Sequence, residues 1–446
     1  MPPCPISRRL LALIAVLFPI AWGASSALAL YNTGVGATVY VVSPWPENST
    51  PLAGACEGGS ILVVASNRSG FKYDTLIYDA RGPRWLVLKG FQAQAACIEG
   101  SRVAVAGSYL GLPALAIADL GAGNVGVARI YSVPRVRYAS FSVIDCSGGS
   151  IAAAGLAPEG VLVLLIKGGL GRALLLSYSS PLEALRIIGG SIYIVTPTAL
   201  LEIRGAKAYT IDFGDALPNS TVEEVTVGPQ GLPWVVGMTG IPGEGYWGLI
   251  APLEGGLGIA LRSRGHAGLA LNAYWDGYRW LVYYRPGTFW DSIVEITPIG
   301  GSGVELLWSG SHEVLVTRFT PPGVAIVVTE AHLNNATSLV LSCINSLQTA
   351  HYWVDDRPVM HIAPIPVPER IETFSVHVRR PPMHSLVEEA IGGANETLVK
   401  LETLGAGPAP LRATARGEEG LLAATYISLS LVFASLAWRG FGECRV

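Results

Sequence analysis

A short phrase recurs along the chain every 40 to 50 residues. Its two clearest copies begin at Cys56 and Cys146, where the cysteine is followed by one polar residue, Gly-Gly and Ser-Ile. A looser copy begins at Cys97, and a fourth copy keeps the turn at Gly189 without the cysteine. Each copy leads into an apolar stretch of β-forming residues. A fixed turn at this period indicates a repeat architecture in which each repeat is one supersecondary unit.

The fourth copy predicts the structure of one repeat. The pair Gly189-Gly190 tolerates the positive φ angles that a tight hairpin turn requires. Four short runs of β-forming residues lie around it, separated by two-residue turns, at 184–188, 191–196, 199–204 and 207–213. Each repeat is therefore predicted to be a four-stranded antiparallel meander.

The same turn can be traced seven times, with starts at residues 58, 99, 148, 189, 229, 276 and 322. The intervals lie between 40 and 49 residues, which matches the period of about 40–50 residues of four-stranded propeller blades. Seven units are predicted, and six or eight stay open because element boundaries are hard to place from one sequence. The predicted fold class is all-β.

On this repeat the chain is similar to the β-propeller superfamily over residues 31–356. The resemblance covers the architecture and no specific family, because the Gly-His and Trp-Asp pairs of WD40 repeats are absent. Residues 275–280 resemble the Asp-box of sialidase-like propellers but differ in spacing and lack its Ser and Thr, so no sialidase activity is implied. The resemblance implies that a strand at one terminus pairs with the blade at the other. We predict 35–43 as that closing strand, which would remove exposed edges.

Two apolar segments predict export and anchoring. Residues 1–29 combine a basic start, an apolar run and a small-residue exit, the layout of a secretory signal peptide; an uncleaved anchor is the alternative. The uncharged run 420–438 spans about 28 Å as a helix, close to the ~30 Å hydrocarbon core. Arginines follow it, so the positive-inside rule predicts a cytoplasmic tail at 439–446. The predicted protein is a single-pass cell-membrane protein with its N-terminal domain outside.

Residues 357–419 differ in composition from the repeats. They contain proline-rich stretches and end in a glycine-rich segment. Within them, 370–380 favours one more strand pair and 395–404 favours a short helix. The segment is predicted to be a stalk between the propeller and the membrane.

Composition excludes one class of partner. Charged residues make up only 14% of the chain and the net charge is −3, whereas nucleic-acid binding requires a basic patch or stripe. Five Asn-x-Ser/Thr sequons would permit glycosylation of an exported protein. They are Asn48, Asn67, Asn219, Asn335 and Asn395.

Four cysteines lie in the predicted exported domain, at Cys56, Cys97, Cys146 and Cys343. Three of them occupy the same position of the repeat, and equivalent positions on neighbouring blades could lie beyond the ~7 Å limit for a disulfide. The isoleucine in the fourth copy favours a packing role. Buried small apolar side chains are therefore the preferred interpretation, with a disulfide or a reactive or metal-binding thiol as the alternatives.

No local catalytic, cofactor or metal motif is present. Nucleophile elbow, HExxH and Walker A patterns are absent, and the histidines have no metal-ligand spacing. The adjacent acids Glu223-Glu224 and Asp355-Asp356 should face opposite sides of a strand, so we interpret them as solvated charge. No cofactor is predicted, and the chain is predicted not to be an enzyme.

Aromatic residues beside glycines lie in several loops that join the second and third strands. Exposed aromatic side chains on loops make good contact surfaces for sugars or proteins. The predicted ligand-binding residues are Phe71, Tyr73, Tyr246, Trp247, Phe289 and Trp290. The competing interpretation is that each begins the third strand and packs between blades.

These patterns predict a membrane-anchored extracellular β-propeller that serves as a binding or structural module for a protein, peptide or glycan. The alternative is an extracytoplasmic propeller enzyme, such as a glycan-cleaving or quinone-cofactor protein. A shallow aromatic face would favour the module. A deep axial cavity lined by carboxylates or arginines from different blades would favour the enzyme.

Overall fold

The computed structural model describes residues 37–417, apart from 43–44, 58–59, 71, 82–83, 122–125, 242–243, 264–267, 287–290, 297–303, 311–313, 321–323, 334–335, 345–349, 355–358, 364–370, 407–410 and 413. The predicted signal peptide, apolar span and tail lie outside the described residues, as do Phe71, Phe289 and Trp290. In the described part of the chain, no helix is long and apolar enough to span a bilayer.

The described strands form seven sheets, and the first four strands of each sheet make an antiparallel meander. Sheet 1 contains β2 (Ser49–Glu57), β3 (Ser60–Ser69), β4 (Lys72–Asp79) and β5 (Arg84–Lys89), and sheet 2 contains β6 (Phe91–Glu99), β7 (Arg102–Tyr109), β8 (Leu112–Asp119) and β9 (Val127–Ser132). Sheet 3 contains β10 (Val143–Ser147), β11 (Ser150–Ala157), β12 (Gly160–Lys167) and β13 (Leu170–Leu176). Sheet 4 contains β14 (Ala184–Ile188), β15 (Ser191–Val195), β16 (Leu200–Arg204) and β17 (Lys207–Ile211).

The remaining sheets follow the same plan. Sheet 5 contains β18 (Ser220–Val227), β19 (Pro233–Ile241), β20 (Gly245–Pro252) and β21 (Gly256–Ser263). Sheet 6 contains β22 (Gly268–Trp275), β23 (Trp280–Pro286), β24 (Asp291–Ile296) and β25 (Val304–Gly310). Sheet 7 contains β26 (Val314–Thr320), β27 (Val324–Leu333) and β28 (Ala336–Ile344), together with the N-terminal strand β1 (Ala37–Val42). Two helical turns, α1 (Phe213–Ala216) and a 3₁₀ turn (Pro229–Gly231), lie between strands. The prediction of an all-β fold is confirmed.

Sheet 4 shows why these sequences form meanders. Gly189 and Gly190 have φ angles of 59° and 84°, and β14 pairs in register with β15 across that turn. All five residues of β15 are buried, because both faces of this strand are covered by neighbouring sheets. The predicted strand positions in this repeat are confirmed to within two residues at most ends.

The first strands of the sheets form a ring. Each first strand, in the order β2, β6, β10, β14, β18, β22 and β26, contacts the next, and β26 contacts β2. Strand β1 pairs with β28, with Tyr40 opposite Leu341, which confirms that an N-terminal strand joins the last sheet. The fold is therefore propeller-like, with apolar clusters between neighbouring sheets.

The chain after sheet 7 runs back around the outside of the ring, and we call strands β31 to β36 the belt. They pair with the outermost strands of sheets 5, 4, 3, 2, 1 and 7, in that order. The belt strands are β31 (Ile371–Val378), β32 (Met383–Leu386), β33 (Glu388–Gly393), β34 (Asn395–Lys400), β35 (Glu402–Ala406) and β36 (Leu411–Arg412). Sheet 6 gains β29 (Ala350–Val354), β30 (Val359–Ala363) and β37 (Thr414–Gly417).

The belt corrects the stalk prediction for the described part of 357–419. Residues predicted as a helix at 395–404 are strands β34 and β35, hydrogen-bonded to sheets 2 and 1. Val378, Ile391 and Leu401 are buried in the clusters between sheets. A stalk has no such contacts, so this segment is part of the folded domain.

Two disulfides correct the preferred interpretation of the cysteines. Cys97 and Cys146 join the first strands of sheets 2 and 3, with their Cα atoms 5.9 Å apart. Cys56 and Cys343 join sheet 1 to sheet 7, with Cα atoms 6.3 Å apart. The first strands converge on the ring axis, so the equivalent positions of Cys97 and Cys146 lie within the ~7 Å limit, whereas Cys343 belongs to β28, the third strand of sheet 7.

Candidate functional site on the axis

Two cavities of about 710 and 250 Å³ meet at the centre of the ring. The larger is lined by first-strand residues of sheets 1 to 6, at the end where the first hairpins lie. Asp145, Arg186 and Asn272 line both cavities. Side chains from sheets 3, 4 and 6 therefore form the waist between two chambers on the axis.

A charged cluster occupies this waist. Arg186 donates from Nε and Nη2 to the two carboxylate oxygens of Glu224, at 2.9 and 3.1 Å, and from Nη1 to Asp145 at 3.2 Å. Asp145 also accepts the backbone N–H of Ile187 at 2.9 Å. Arginine offers planar, paired donors, and it uses them here to fix carboxylates from two neighbouring sheets. The cluster links sheets 3, 4 and 5.

The cluster is not neutral, because two carboxylates share one guanidinium. The charges of Glu224 and Asp145 outweigh burial and raise the pKa of Arg186. Burial raises the pKa of Glu224 more than Arg186 lowers it, and the charge of Asp145 adds to that rise. When both carboxylates are ionised the cluster has a net charge of −1, which attracts protons and ligands that carry hydrogen-bond donors.

A β-bulge in β18 lies at Glu223, the residue before Glu224. The pairing of β18 with β19 shifts register between Val222 and Glu224, so Glu223 is an extra residue in the strand. A Cβ on Gly237 of β19 would collide with the Thr221 carbonyl oxygen, so this glycine allows the bulge. The interpretation of Glu224 as solvated charge is wrong, because its side chain is 9% exposed and pairs with Arg186.

Glu183 at the narrower chamber and Glu223 on the neighbouring sheet both have raised pKa values. Burial raises the pKa of Glu223. Burial and then the charge of Glu223 raise the pKa of Glu183, which lines that chamber but is exposed at its mouth. Water at the mouth screens part of this interaction. A carboxyl group whose pKa is raised in a cavity is a candidate for proton transfer.

The wider chamber carries aromatic and amide groups. Tyr274 and Trp275 of β22 line it together with Asn272. Burial and the charge of Asp276 raise the pKa of Tyr274. Thr226 donates its hydroxyl to the Ala273 carbonyl at 2.8 Å, which ties sheet 5 to sheet 6 at this level. Both chambers can therefore offer polar contacts, and the wider one adds an aromatic wall.

The described loop aromatics are dispersed. Trp247 is only 7% exposed and packs on Phe374 of the belt, with ring centroids 4.7 Å apart. Tyr246 is 52% exposed, and Tyr73 is half-buried beneath the guanidinium of Arg68. The burial of Trp247 agrees with the competing interpretation of packing. A ligand-binding role for the six predicted residues stays a prediction.

Sequence reasoning missed the axial cluster because its members are 38 and 41 residues apart. One signal was present. In the first three copies of the repeat phrase the cysteine follows Ala55, Ala96 and Asp145, and Arg186 stands at that position in the fourth copy. Charges at repeat-equivalent positions that hold alanine elsewhere indicate a special site on the axis. Among the described residues, no group of three or more His, Cys, Asp or Glu side chains could hold a metal ion.

No protein-family profile and no curated protein matches the chain. Among solved structures, it is similar to one described as "Dihydro-heme d1 dehydrogenase NirN in complex with DHE", at 11% sequence identity and a TM-score of 0.33. The match covers 80% of this chain and 75% of that chain. A likeness at this level carries no argument about a ligand or a residue.

The prediction that the chain is not an enzyme is corrected. An axial cavity lined by carboxylates and arginines from different sheets was the arrangement that would favour an enzyme, and Asp145, Arg186 and Glu224 form it. The described residues give no support to a cell-surface binding module built on loop aromatics.

Proposed function

We propose that this protein is an extracytoplasmic enzyme that cleaves short glycans by proton transfer in the axial cavity. The observation that carries the proposal is that Glu183 lines the narrower chamber with Asp145, Arg186 and Glu224, and that the pKa values of Glu183 and of Glu223 on the neighbouring sheet are both raised. A carboxyl group that keeps its proton closer to neutral pH can donate it to a leaving group, and a second carboxylate can accept one.

In this proposal the chain is a seven-bladed propeller, with sheets 1 to 7 as its blades and β1 as the closing strand. The cyclic contacts of the first strands and the pairing of β1 with β28 support it. A propeller gathers residues from different blades at its axis, so a site can form without any local motif.

The rest of the lining suits a sugar. Amides at Gln94 and Asn272 and carboxylates can bind hydroxyl groups, while Tyr274 and Trp275 offer aromatic surface. Arg186 has three of its five N–H groups committed to Asp145 and Glu224, so we assign it the role of fixing those carboxylates.

We also propose that the domain works outside the cytoplasm, tethered by 420–438. Two disulfides within the described residues support an oxidising compartment, since disulfides are rare in proteins of the cytosol. The signal-peptide layout and the uncharged run are the sequence evidence for export and tethering.

The test is release of reducing ends from a panel of defined oligosaccharides by the full chain. The Glu183→Gln and Glu223→Gln variants should lose at least a hundredfold in kcat/KM, because removing a positioned proton donor or acceptor typically has effects of 10²–10⁴. Glu244→Gln is the matched control, since Glu244 pairs with Arg262 at an exposed position. Activity that survives in both axial variants would contradict the proposal, as would cleavage of no glycan by a folded wild type.

A further inference from the structure

A second cavity lies away from the axis. It is a groove of about 890 Å³ between sheets 2 and 3, and belt strand β34 forms part of its wall. Its size is within the range of small-molecule sites, about 300–1,000 Å³. It shares no lining residue with the axial cavities, so it is independent of the proposed glycan site.

Glycine hairpins keep this groove open. Gly149, Gly168 and Gly169 of sheet 3 line it, and a Cβ on any of them would meet nothing within 4 Å. All three have positive φ angles, which suit glycine and disfavour larger residues. The side of sheet 3 that faces the groove therefore carries backbone where other hairpins would carry side chains.

The floor and the rim are apolar. Ile117 lines the groove partly buried, and Ile151 and Ile166, at 2% and 4% exposure, close its base as part of the core between sheets 2 and 3. Val127 and Leu398 line it at 48% and 66% exposure. Apolar side chains at this exposure beside an open cavity indicate a surface that an apolar ligand can cover.

The charges around the groove have a positive excess. Arg102, Arg129 and Lys400 line it with one acid, Asp119, which leaves three cations against one anion. Asp119 accepts the Gly121 N–H and the Ser101 hydroxyl, both at 3.0 Å, and these bonds lower its pKa. The Asp119 carboxylate therefore already accepts hydrogen bonds from Ser101 and from Gly121 in its own loop.

The cations are weakly compensated. Arg129 is 4.0 Å from Glu396, and both side chains are largely in solvent. Neither Arg102 nor Lys400 makes an ion pair with another described residue. By contrast Lys89, which faces the belt on sheet 1, pairs with Glu402 at 2.6 Å.

We propose that this groove binds an amphipathic anion, a long-chain carboxylate whose chain lies against Val127 and Leu398 and whose head group lies between Arg102, Arg129 and Lys400. Charge complementarity selects the anion, and the exposed apolar side chains select the chain. A carboxylate matches the paired donors of an arginine, and removing the alkyl chain from water against apolar side chains is favourable.

The experiment is photo-crosslinking of the full chain in lipid nanodiscs with a diazirine-bearing hexadecanoate, followed by peptide mapping. The label should map to peptides that contain Ile117, Ile151 or Leu398, and excess hexadecanoate should remove it while hexadecanol should not. The double variant Arg102→Gln, Lys400→Gln should lower the labelling at least tenfold, and Leu398→Glu should abolish it at an exposed position where folding is undisturbed.

Lys89→Gln is the control, because it removes a cation that faces the belt outside the groove, and its labelling should equal that of the wild type. Equal competition by hexadecanol, equal loss in the Lys89 variant, or label confined to peptides outside the groove would each overturn the proposal. Loss of glycan cleavage in the Glu183 and Glu223 variants does not bear on it.

Discussion

The axis and the rim of this ring are held together in different ways. At the axis, specific side chains join neighbouring sheets: the disulfides Cys97–Cys146 and Cys56–Cys343 and the Arg186 cluster. At the rim, belt strands pair through their backbones with one sheet after another. Side-chain links depend on residue identity, whereas backbone pairing tolerates many sequences. The axis should therefore be sensitive to single substitutions, and the rim only where the belt is buried.

The largest effect is expected at the junction of sheets 1 and 7. The Cys56–Cys343 disulfide spans 287 residues, and restricting so long a loop in the unfolded chain stabilises the fold by about 5–6 kcal/mol in the chain-entropy description. Replacing both cysteines by alanine should lower the free energy of unfolding by that amount, measured by urea denaturation. The matched pair Cys97–Cys146 spans 49 residues and should lose only about 4 kcal/mol. A larger loss of stability on removing the Cys97–Cys146 disulfide than on removing Cys56–Cys343 would contradict this prediction.

The next effect is expected at the waist. Arg186→Met leaves Asp145 and Glu224 buried with no cation between them, and breaking a buried ion pair from one side costs about 3–5 kcal/mol. Arg262→Met is the control, because Arg262 pairs with Glu244 in solvent, where such pairs contribute about 0–1 kcal/mol. If the two variants lose equal stability in thermal unfolding, the axial cluster contributes no more to stability than an exposed ion pair does.

A smaller effect is expected at the rim. Leu401 is 3% exposed and Leu404, three residues further on, is 64% exposed. Leu401→Ala removes a side chain that fills the gap between sheets 1 and 2, at about 2–4 kcal/mol, while Leu404→Ala should change stability by less than about 0.5 kcal/mol. Hydrogen exchange of the belt amides distinguishes local from global loss. If neither variant speeds exchange at 395–406, the belt does not depend on its buried leucine.

The smallest effect is expected from pH at Glu183. Its pKa in the folded state is raised above 4.5, so the protonated form stabilises the fold below that value and the benefit is lost as pH rises through the folded pKa. At neutral pH the ionised Glu183 carboxylate therefore destabilises the fold. Glu183→Gln should raise the melting temperature slightly at pH 7 and leave it unchanged below about pH 4. A gain that grows as pH falls would have the wrong sign.

The two regions also differ in how far the sequence predicts them. The meander of sheet 4 could be predicted almost residue by residue, because Gly189-Gly190 and the short apolar runs are local signals. The belt could not. In β34 nearly every residue is exposed, because an added outer strand has little apolar contact, and so its sequence lacks the alternation that indicates a strand. Proline and glycine beside such strands resemble a linker.

The sequence by itself determined the repeat, the position of the turns and the all-β class, since φ preferences and alternating apolar residues act over a few positions. Only the tertiary structure decided that Cys97 meets Cys146, that Arg186 meets Asp145 and Glu224, and that 371–412 forms a belt. These contacts join residues from 38 positions apart, between Arg186 and Glu224, to 372 positions apart, between Tyr40 and Arg412. The axial contacts arise because the ring brings the first strands of the sheets to a common axis, the belt arises because the outermost strands leave a free edge, and no local propensity encodes either arrangement.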